Sequence, residues 1–188
     1  PVKGYPFMSR FDTPVTPIVG KDFPTVLTQS GNGILNVGDE TLIYYGRWRN
    51  SDYGEGYYGE TAMATLPRDR WGALGLYPTN PHGDETTEGS VWSAPIRLPE
   101  KDFELVLNAD HADHLSVEIS DTRYVMLDAF SGEQSGQSKT SGGLDCRVVW
   151  AKTDLGSLAG KTVRFKINFT QADGIDPRLF AVYLRTTE

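Results

Sequence analysis

FELVLNADHADHLSVEI, residues 103–119, is the stretch that decides the fold. Apolar and polar residues alternate through 103–108 and again through 115–120, and a period of two is typical of β-strands with one solvent-facing side. The polar run between the two segments favours a turn. The stretch therefore predicts a β-hairpin with one wet face. Its apolar face needs a second sheet to cover it, as in a β-sandwich.

Further runs with the same rhythm can supply the covering sheet. The segments 163–169 and 180–184 alternate most clearly. Pro95 favours an edge position or a strand end for the run that contains it. The other candidate strands are 89–98, 124–127 and 144–150. The low-complexity segment 131–143, SGEQSGQSKTSGG, is predicted to be a mobile surface loop. Asp154 and Gly160 bracket one short helical turn as its N-cap and its stop.

The first half of the chain predicts a smaller unit. Residues 1–24 contain five prolines, which indicate an extended lead-in. Runs 33–37 and 41–45 flank Gly38-Asp39-Glu40, a sequence that suits a tight hairpin, and 61–66 adds a third antiparallel strand. The fold class is therefore all-β. We expect an extended lead-in and a blade-like β-meander over 1–87, followed by a jelly-roll-like β-sandwich over 88–188.

Composition excludes several functions. The 188 residues include 25 acidic and 18 basic ones, a net charge of −7, which opposes a nucleic-acid partner because phosphate binding needs a basic surface. No apolar run is long enough to span a bilayer, so no membrane partner is predicted. The single cysteine, Cys146, is predicted to be a buried, inert thiol. Because the sequence begins with Pro1, we expect a mature or trimmed piece of a longer protein.

Eight short motifs together resemble a known family. In chain order they are YYG (44–46), ETAMATLPRDRW (60–71), EGSVWSAPI (88–96), LVLNAD (105–110), LSVEI (115–119), DCRVVW (145–150), DLGSLAGKTVRFKINF (154–169) and LFAVYL (179–184). This series resembles the C-terminal part of bacterial proteins related to glycoside hydrolase family 32, in which a five-bladed β-propeller precedes a β-sandwich. The resemblance covers residues 30–186.

The resemblance implies a function and also what the chain lacks. The catalytic carboxylates of such propellers come from early and middle blades, which have no counterpart here, so no catalytic residue is carried over. We expect a noncatalytic accessory portion of a bacterial secreted or periplasmic protein that binds an oligo- or polysaccharide and adjoins the rest of its own propeller. The alternatives are part of an active glycoside hydrolase, with the carboxylates in a missing propeller, and a purely structural sandwich that buttresses it.

An aromatic cluster in the loop between the second and third strands of the predicted meander is the candidate carbohydrate site. A sugar stacks its C–H face on an aromatic ring while its hydroxyls bond to polar side chains. The alternative is that Trp48 packs at the domain junction and the tyrosines rigidify a loop. Trp71, Trp92 and Trp150 are interpreted as core or interface anchors. The candidate residues are Trp48, Arg49, Asp52, Tyr53, Tyr57, Tyr58 and Glu60.

Acidic and histidine residues raise two further possibilities. Hydrolysis of a glycoside requires two convergent carboxyl groups, but Asp12, Asp52, Glu55 and Glu60 are interpreted as solvated loop charges. The turn 110–114 contains Asp110, His111, Asp113 and His114, which are metal-ligand types. Turns between strands favour such residues for backbone reasons, so no metal is predicted. No nucleotide-binding or zinc-peptidase motif occurs, and we therefore expect no cofactor.

Overall fold

A computed structural model describes residues 26–49, 58–77 and 85–186, and within the first unit it describes side chains at 33–44 and 63–72. The chain divides into two compact units, Pro1–Gly72 and Ala73–Glu188. The sequence places the division between 87 and 88. Leu74 pairs with Leu179 as an isolated β-bridge, so the segment 73–77 belongs with the second unit.

The first unit contains an antiparallel three-stranded sheet in the order β1-β2-β3. Its strands are β1 (Val26–Val37), β2 (Glu40–Arg49) and β3 (Tyr58–Pro67). Gly38 adopts a left-handed conformation in the turn between β1 and β2, with φ of 59°, which glycine adopts without a steric penalty. The predicted hairpin and third strand are confirmed. The lead-in 1–24 lies outside the described residues.

The second unit is built from eight antiparallel strands in one curled sheet. The sheet order is β11-β6-β9-β8-β7-β10-β4, and β5 pairs with β10. The strands are β4 (Glu88–Trp92), β5 (Ile96–Arg97), β6 (Phe103–Asp110), β7 (Leu115–Ser120), β8 (Gly136–Ser138), β9 (Gly142–Val149), β10 (Thr162–Thr170) and β11 (Arg178–Thr186). Ser93, Ala94 and Pro95 separate β4 from β5, so the proline stands at a strand boundary, as predicted.

One apolar core fills the curled sheet. Alternate residues of β6 and β9 enter it from one part of the sheet, and alternate residues of β7 and β10 enter it from the other. Phe165, at 2% exposure, is the largest of the fully buried side chains. The all-β fold with a sandwich-like second unit is therefore as the sequence predicts. The principal core residues are Leu105, Leu107, Leu115, Val117, Ile119, Cys146, Val163, Phe165, Ile167 and Phe169.

The hairpin predicted over 103–119 is wrong. Strand β6 pairs with β9 and β11, whereas β7 pairs with β8 and β10. A 3-10 turn over Ala112–His114 links the two strands, preceded by His111 in a left-handed conformation. Both strands do send their apolar residues to one core. Alternation specifies which side chains enter a core, but it does not specify the partner strand.

The wet face predicted for the same stretch holds only for β7. Ser116 and Glu118 on β7 are partly exposed. On β6, by contrast, Val106 and Asn108 are buried although they lie on the side opposite to Leu105 and Leu107. Strand β6 is therefore buried on both faces, as central strands often are.

Two loop and strand predictions in the second unit are also wrong. The segment 131–143 contains a 3-10 turn over Gly132–Gln134, the strand β8 and the start of β9, so it is not a mobile loop. The polar composition of this segment does not indicate a strand. Gly136 is nevertheless buried in β8, where a glycine allows close packing. The segment 124–127 forms a turn rather than a strand, with a single bridge between Met126 and Ser120.

Two local predictions are confirmed. The Asp154 Oδ1 accepts a hydrogen bond from the Gly156 N–H at 2.6 Å and caps the 3-10 turn over Leu155–Leu158, while Gly160 follows with φ of 69°. Cys146 is a free, fully buried thiol.

No helix in the described part of the chain has the length and hydrophobicity to cross a membrane.

Candidate functional site

The outward side of β7, β10 and β4 carries a continuous set of polar and aromatic side chains. The register places Lys166 opposite both Trp92 and Glu118, and it places Asn168 opposite both Ser90 and Ser116. Residues opposite one another on adjacent strands share a face, and their inward neighbours fill the core. We call this surface, together with the adjoining loop residue Tyr124, the polar-aromatic face. Its residues are Ser90, Trp92, Ser116, Glu118, Tyr124, Arg164, Lys166 and Asn168.

Glu118 is the centre of the hydrogen bonds on this face. Its Oε2 accepts from Lys166 Nζ and from Asn168 Nδ2, each at 2.9 Å, and its Oε1 accepts from the Gly132 N–H at 2.8 Å. Only 12% of the Glu118 side chain is exposed. Burial raises the pKa of this carboxyl, but the three donors and the ammonium charge outweigh it and hold the pKa below its ordinary value of 4.5.

Two aromatic rings lie at one end of the face. The ring centroids of Trp92 and Tyr124 are 5.1 Å apart in an edge-to-face arrangement at 76°. The Arg164 Cζ lies 4.3 Å from the centroid of the Tyr124 ring, and the Lys166 Nζ lies 5.8 Å from that of Trp92. Each ring is thus paired with a cation on a neighbouring strand, at distances typical of cation–π contacts.

A tight loop holds Tyr124 in place. The Asp121 Oδ1 accepts hydrogen bonds from the backbone N–H groups of Arg123 at 2.8 Å and Val125 at 2.9 Å. Tyr124 adopts a left-handed conformation with φ of 67°, which is strained for a residue with a bulky side chain, and 54% of it is exposed. The bond from Val125 lowers the pKa of Asp121, against a smaller opposing effect of desolvation, and Arg123 lowers it further. An ionised Asp121 therefore stabilises the strained loop.

Arg164 connects the two segments that carry the rings. Its Nη1 donates to the Ser93 carbonyl at 2.9 Å, directly after Trp92, and its Nε donates to the Thr122 carbonyl at 3.2 Å. Ser93 also accepts, at its Oγ, a hydrogen bond from the Phe165 N–H at 3.0 Å. The rings are therefore positioned by the rigid strand β10 rather than by loops alone.

An open depression of about 600 Å³ has Asp121 in its lining, with Leu127, Phe130, Leu158, Lys161 and Val163, but no residue of the polar-aromatic face. A smaller one, of about 270 Å³, is lined by His114, Ser116, Gln137 and Thr170. Ser116 belongs to the polar-aromatic face, so the smaller depression continues that face toward the turn that follows β6.

The sequence-predicted carbohydrate cluster lies at the edge of what the structure describes. The backbone register pairs Arg49 with Tyr58 and Trp48 with Gly59, while Glu60 pairs with Arg47. The side chains of these residues are outside the described part of the chain, as are Asp52, Tyr53 and Tyr57 entirely. The cluster at Trp48, Arg49, Asp52, Tyr53, Tyr57, Tyr58 and Glu60 remains a prediction.

The turn that contains His111 and His114 is explained by its backbone conformation. The rings of His111 and His114 are 6.3 Å apart between centroids, and His114 Nδ1 lies 3.3 Å from the Thr170 carbonyl oxygen. Among the side chains that the structure describes, no three metal-ligating groups lie close enough together to hold an ion. The left-handed conformation of His111 accounts for the polar composition of the turn.

Sequence reasoning missed the polar-aromatic face. The sequence predicts a core or interface anchor at Trp92 and a strand at Tyr124, whereas both residues lie on an outward face. The alternation in 163–169 did indicate that Arg164, Lys166 and Asn168 point to solvent. What it could not indicate is that β7 and β4 flank β10 and bring Glu118 and Trp92 beside them.

No protein-family model, curated protein or solved structure matches this chain.

Proposed function

We propose that this chain is a noncatalytic, carbohydrate-binding portion of a glycoside hydrolase-like protein, and that the polar-aromatic face contacts the sugar. The observation that carries the proposal is the exposed Tyr124 ring, held in a strained conformation next to Trp92 and pinned by Arg164. Strained residues that the surrounding structure over-determines are concentrated at binding sites.

The chemistry of the face suits a sugar. Exposed aromatic rings offer an apolar surface to the C–H face of a pyranose, and neighbouring amide, hydroxyl and charged groups can bond to its hydroxyls. The Asn168 amide and the Ser116 hydroxyl, which share a hydrogen bond at 3.2 Å, are two such groups. The outward row on β10 runs from Arg164 to Thr170, six steps along the strand or about 20 Å at the usual strand rise, which is long enough for an oligosaccharide.

The carboxylates of this region support a noncatalytic role. A glycosidase needs one carboxyl with a raised pKa as its general acid. Glu118 and Asp121 both have a lowered pKa because fixed hydrogen-bond donors stabilise their ionised forms. Such groups accept hydrogen bonds from a ligand or from the protein, but they are poor proton donors near neutral pH.

We expect Tyr124→Gly to weaken glycan binding at least about ten-fold, since loss of a central aromatic contact in a binding site costs more than about 1.4 kcal/mol. Glycine removes the ring contacts with Arg164 and Trp92 but also relieves the positive φ, so the two effects oppose each other and the melting temperature should change little. Binding is measured by affinity electrophoresis in gels containing dextran, xylan, galactan, mannan, polygalacturonate or alginate.

The matched control is Asp173→Gly, which also places glycine at a positive φ, of 53°, at an exposed position outside the face. Trp48→Ala is run in the same gels to test the cluster predicted in the first unit. If the Tyr124→Gly protein migrates as the unaltered chain does in every polymer that retards the latter, the polar-aromatic face is not the site. If no polymer retards the unaltered chain, the proposed function fails.

A second candidate function has an observation of its own. In the first unit, the register places Leu35, Val37, Tyr44 and Met63 on one face of the meander, and all four are exposed. An apolar sheet face of this kind is typical of a surface that another protein element covers. The observation supports the alternative in which the chain acts structurally, as a buttress for a propeller.

This alternative predicts self-association of the isolated chain. We expect the mass measured by size exclusion with light scattering to rise with protein concentration, and the double substitution Leu35→Lys with Val37→Lys to restore the monomer, because two charges on the apolar face oppose association. Ala151→Lys, which adds a charge at an exposed position of the second unit, is the control and should leave the association unchanged. A monomer at every concentration would contradict the structural role.

A further inference from the structure

Resting on the proposed function, we infer that the glycan is acidic, and that Arg164 binds the carboxylate of a uronic acid whose ring packs on Tyr124. The inference starts from the charges of the polar-aromatic face. Lys166 is paired with Glu118 at 2.9 Å, and Arg123 approaches Asp121 at 3.6 Å. Among the residues that the structure describes, no carboxylate lies within ion-pair distance of Arg164.

The contacts of Arg164 leave its charge uncompensated. Two of its nitrogens, Nη1 and Nε, donate to the neutral carbonyls of Ser93 and Thr122. Its Nη2 has no hydrogen-bond partner among the described residues. A partly buried guanidinium that is held by neutral carbonyls alone has no counter-ion, and an anion placed at Nη2 would supply one.

The guanidinium is also preorganised. Two backbone hydrogen bonds and the stack on Tyr124 hold it in one orientation, so little side-chain entropy remains to be lost when an anion binds. Arg164 therefore both offers its Nη2 N–H groups and supports the ring of Tyr124. A uronic acid has both matching parts, a pyranose ring with a C–H face and a carboxylate attached to it.

The acidic groups nearby have counter-ions of their own. Glu118 is paired with Lys166 at 2.9 Å, and Asp121 is paired with Arg123 at 3.6 Å, so neither carboxylate compensates Arg164. The chain as a whole carries a net charge of −7, which repels polyanions in general. Binding of an acidic glycan would thus depend on this local contact rather than on bulk charge.

The experiment compares each acidic polymer with its own carboxyl-reduced form. Polygalacturonate, alginate and hyaluronate, with the three reduced polymers, are titrated into the full chain by calorimetry at low and at high salt. We expect at least one acidic form to bind about ten-fold or more tightly than its reduced partner, and its affinity to fall with salt, because a charge-assisted hydrogen bond is lost on reduction.

Two arginine variants locate the contact. Arg164→Gln should abolish the preference for the acidic form, whereas Arg178→Gln removes the same charge from an exposed position on β11, outside the face, and should leave the preference intact. Arg164→Lys keeps the charge but loses the planar fork and should retain only part of the preference. Melting curves of all three variants show whether the fold is preserved. The comparison of each acidic polymer with its reduced form uses the unaltered chain, so it does not depend on the stability of any variant.

The outcomes separate the two proposals. Equal affinity for acidic and reduced polymers would overturn the acidic-ligand inference and leave carbohydrate binding in place. An acidic preference that survives Arg164→Gln would overturn the role of Arg164. Absence of binding to all six polymers, and to the neutral polymers of the electrophoresis, would overturn both the inference and the proposed function.

Discussion

Replacing Gly136 with alanine is expected to destabilise the second unit by about 3 kcal/mol, at the upper end of the range for overpacked cores. A Cβ at this position would lie 2.5 Å from Trp150 Cε2 and 2.6 Å from Val148 Cγ1, closer than real Cβ atoms approach. Trp150 and Val148 are both buried, so neither can swing aside without disturbing the core. Gly136 does not have a positive φ, so the expected effect is steric rather than conformational.

The position of Gly136 in the sheet increases the expected effect. Strand β8 is only three residues long, and it joins β7 to β9, so it links the two parts of the curled sheet. A displaced Gly136 would weaken both sets of backbone hydrogen bonds. Urea denaturation followed by tryptophan fluorescence measures the change in the free energy of unfolding.

The matched control for this substitution is Gly75→Ala. A Cβ at Gly75 would meet only the Pro177 carbonyl oxygen at 3.5 Å, an ordinary contact. We expect this variant to unfold within about 0.5 kcal/mol of the unaltered chain, as surface substitutions usually do. Equal urea midpoints for Gly136→Ala and Gly75→Ala would show that the packing around Trp150 is not as tight as the structure indicates.

Glu118→Ala is expected to cost about 2–3 kcal/mol of unfolding free energy at neutral pH. The substitution removes the acceptor of the Lys166 ammonium and one of the two acceptors of the Asn168 amide, in a region where Glu118 itself is 12% exposed. Hydrogen bonds to charged groups are worth about 1.5–3 kcal/mol each, and some of this loss is recovered when water reaches Lys166. Glu118 also anchors the turn at Gly132, four residues before β8 begins.

The pH dependence of stability should follow the same carboxylate. Its folded-state pKa lies below 4.5, so the stabilisation is fully present above about pH 4.5 and is lost as the pH falls through the folded-state pKa. Asp121, whose pKa is also lowered, adds a loss in the same direction. Thermal melts from pH 7 to pH 3 should show a steeper decline for the unaltered chain than for Glu118→Ala, which no longer has this group to protonate.

Glu133→Ala is the matched control, since it removes an exposed glutamate from the same 3-10 turn. It should change the unfolding free energy little, and its decline with acid should parallel that of the unaltered chain. Parallel acid declines for Glu118→Ala and the unaltered chain would mean that Glu118 is not the group whose protonation destabilises the sandwich.

Much of the fold could be predicted from residue alternation and turn composition. The period of two in 115–119 and 163–169 identified strands and the side of each that enters the core, because successive side chains on a strand point to opposite faces. Gly38 and Asp154 identified a turn and a capped helical turn for equally local reasons, a positive φ and a side-chain acceptor. These features depend on a few neighbouring residues.

The errors arose where distant segments meet. The run 103–119 contains two good strands, but β6 and β7 find their partners in β9, β11, β8 and β10, which no local pattern specifies. The composition of 131–143 predicts a loop because glycine and serine disfavour strands. The segment nevertheless contains β8, in which Gly136 is required because only glycine fits against Trp150.

The sequence by itself determined the all-β class, the residues that fill the core and the wet side of β10, because those properties follow from the alternation of side chains along each strand. Only the tertiary structure decided the polar-aromatic face. Trp92, Glu118, Tyr124 and Arg164 come from four separate segments, and their juxtaposition depends on which strands pair and on the Asp121 loop. Pairing depends on the packing of the whole core, and that information is spread over the entire chain.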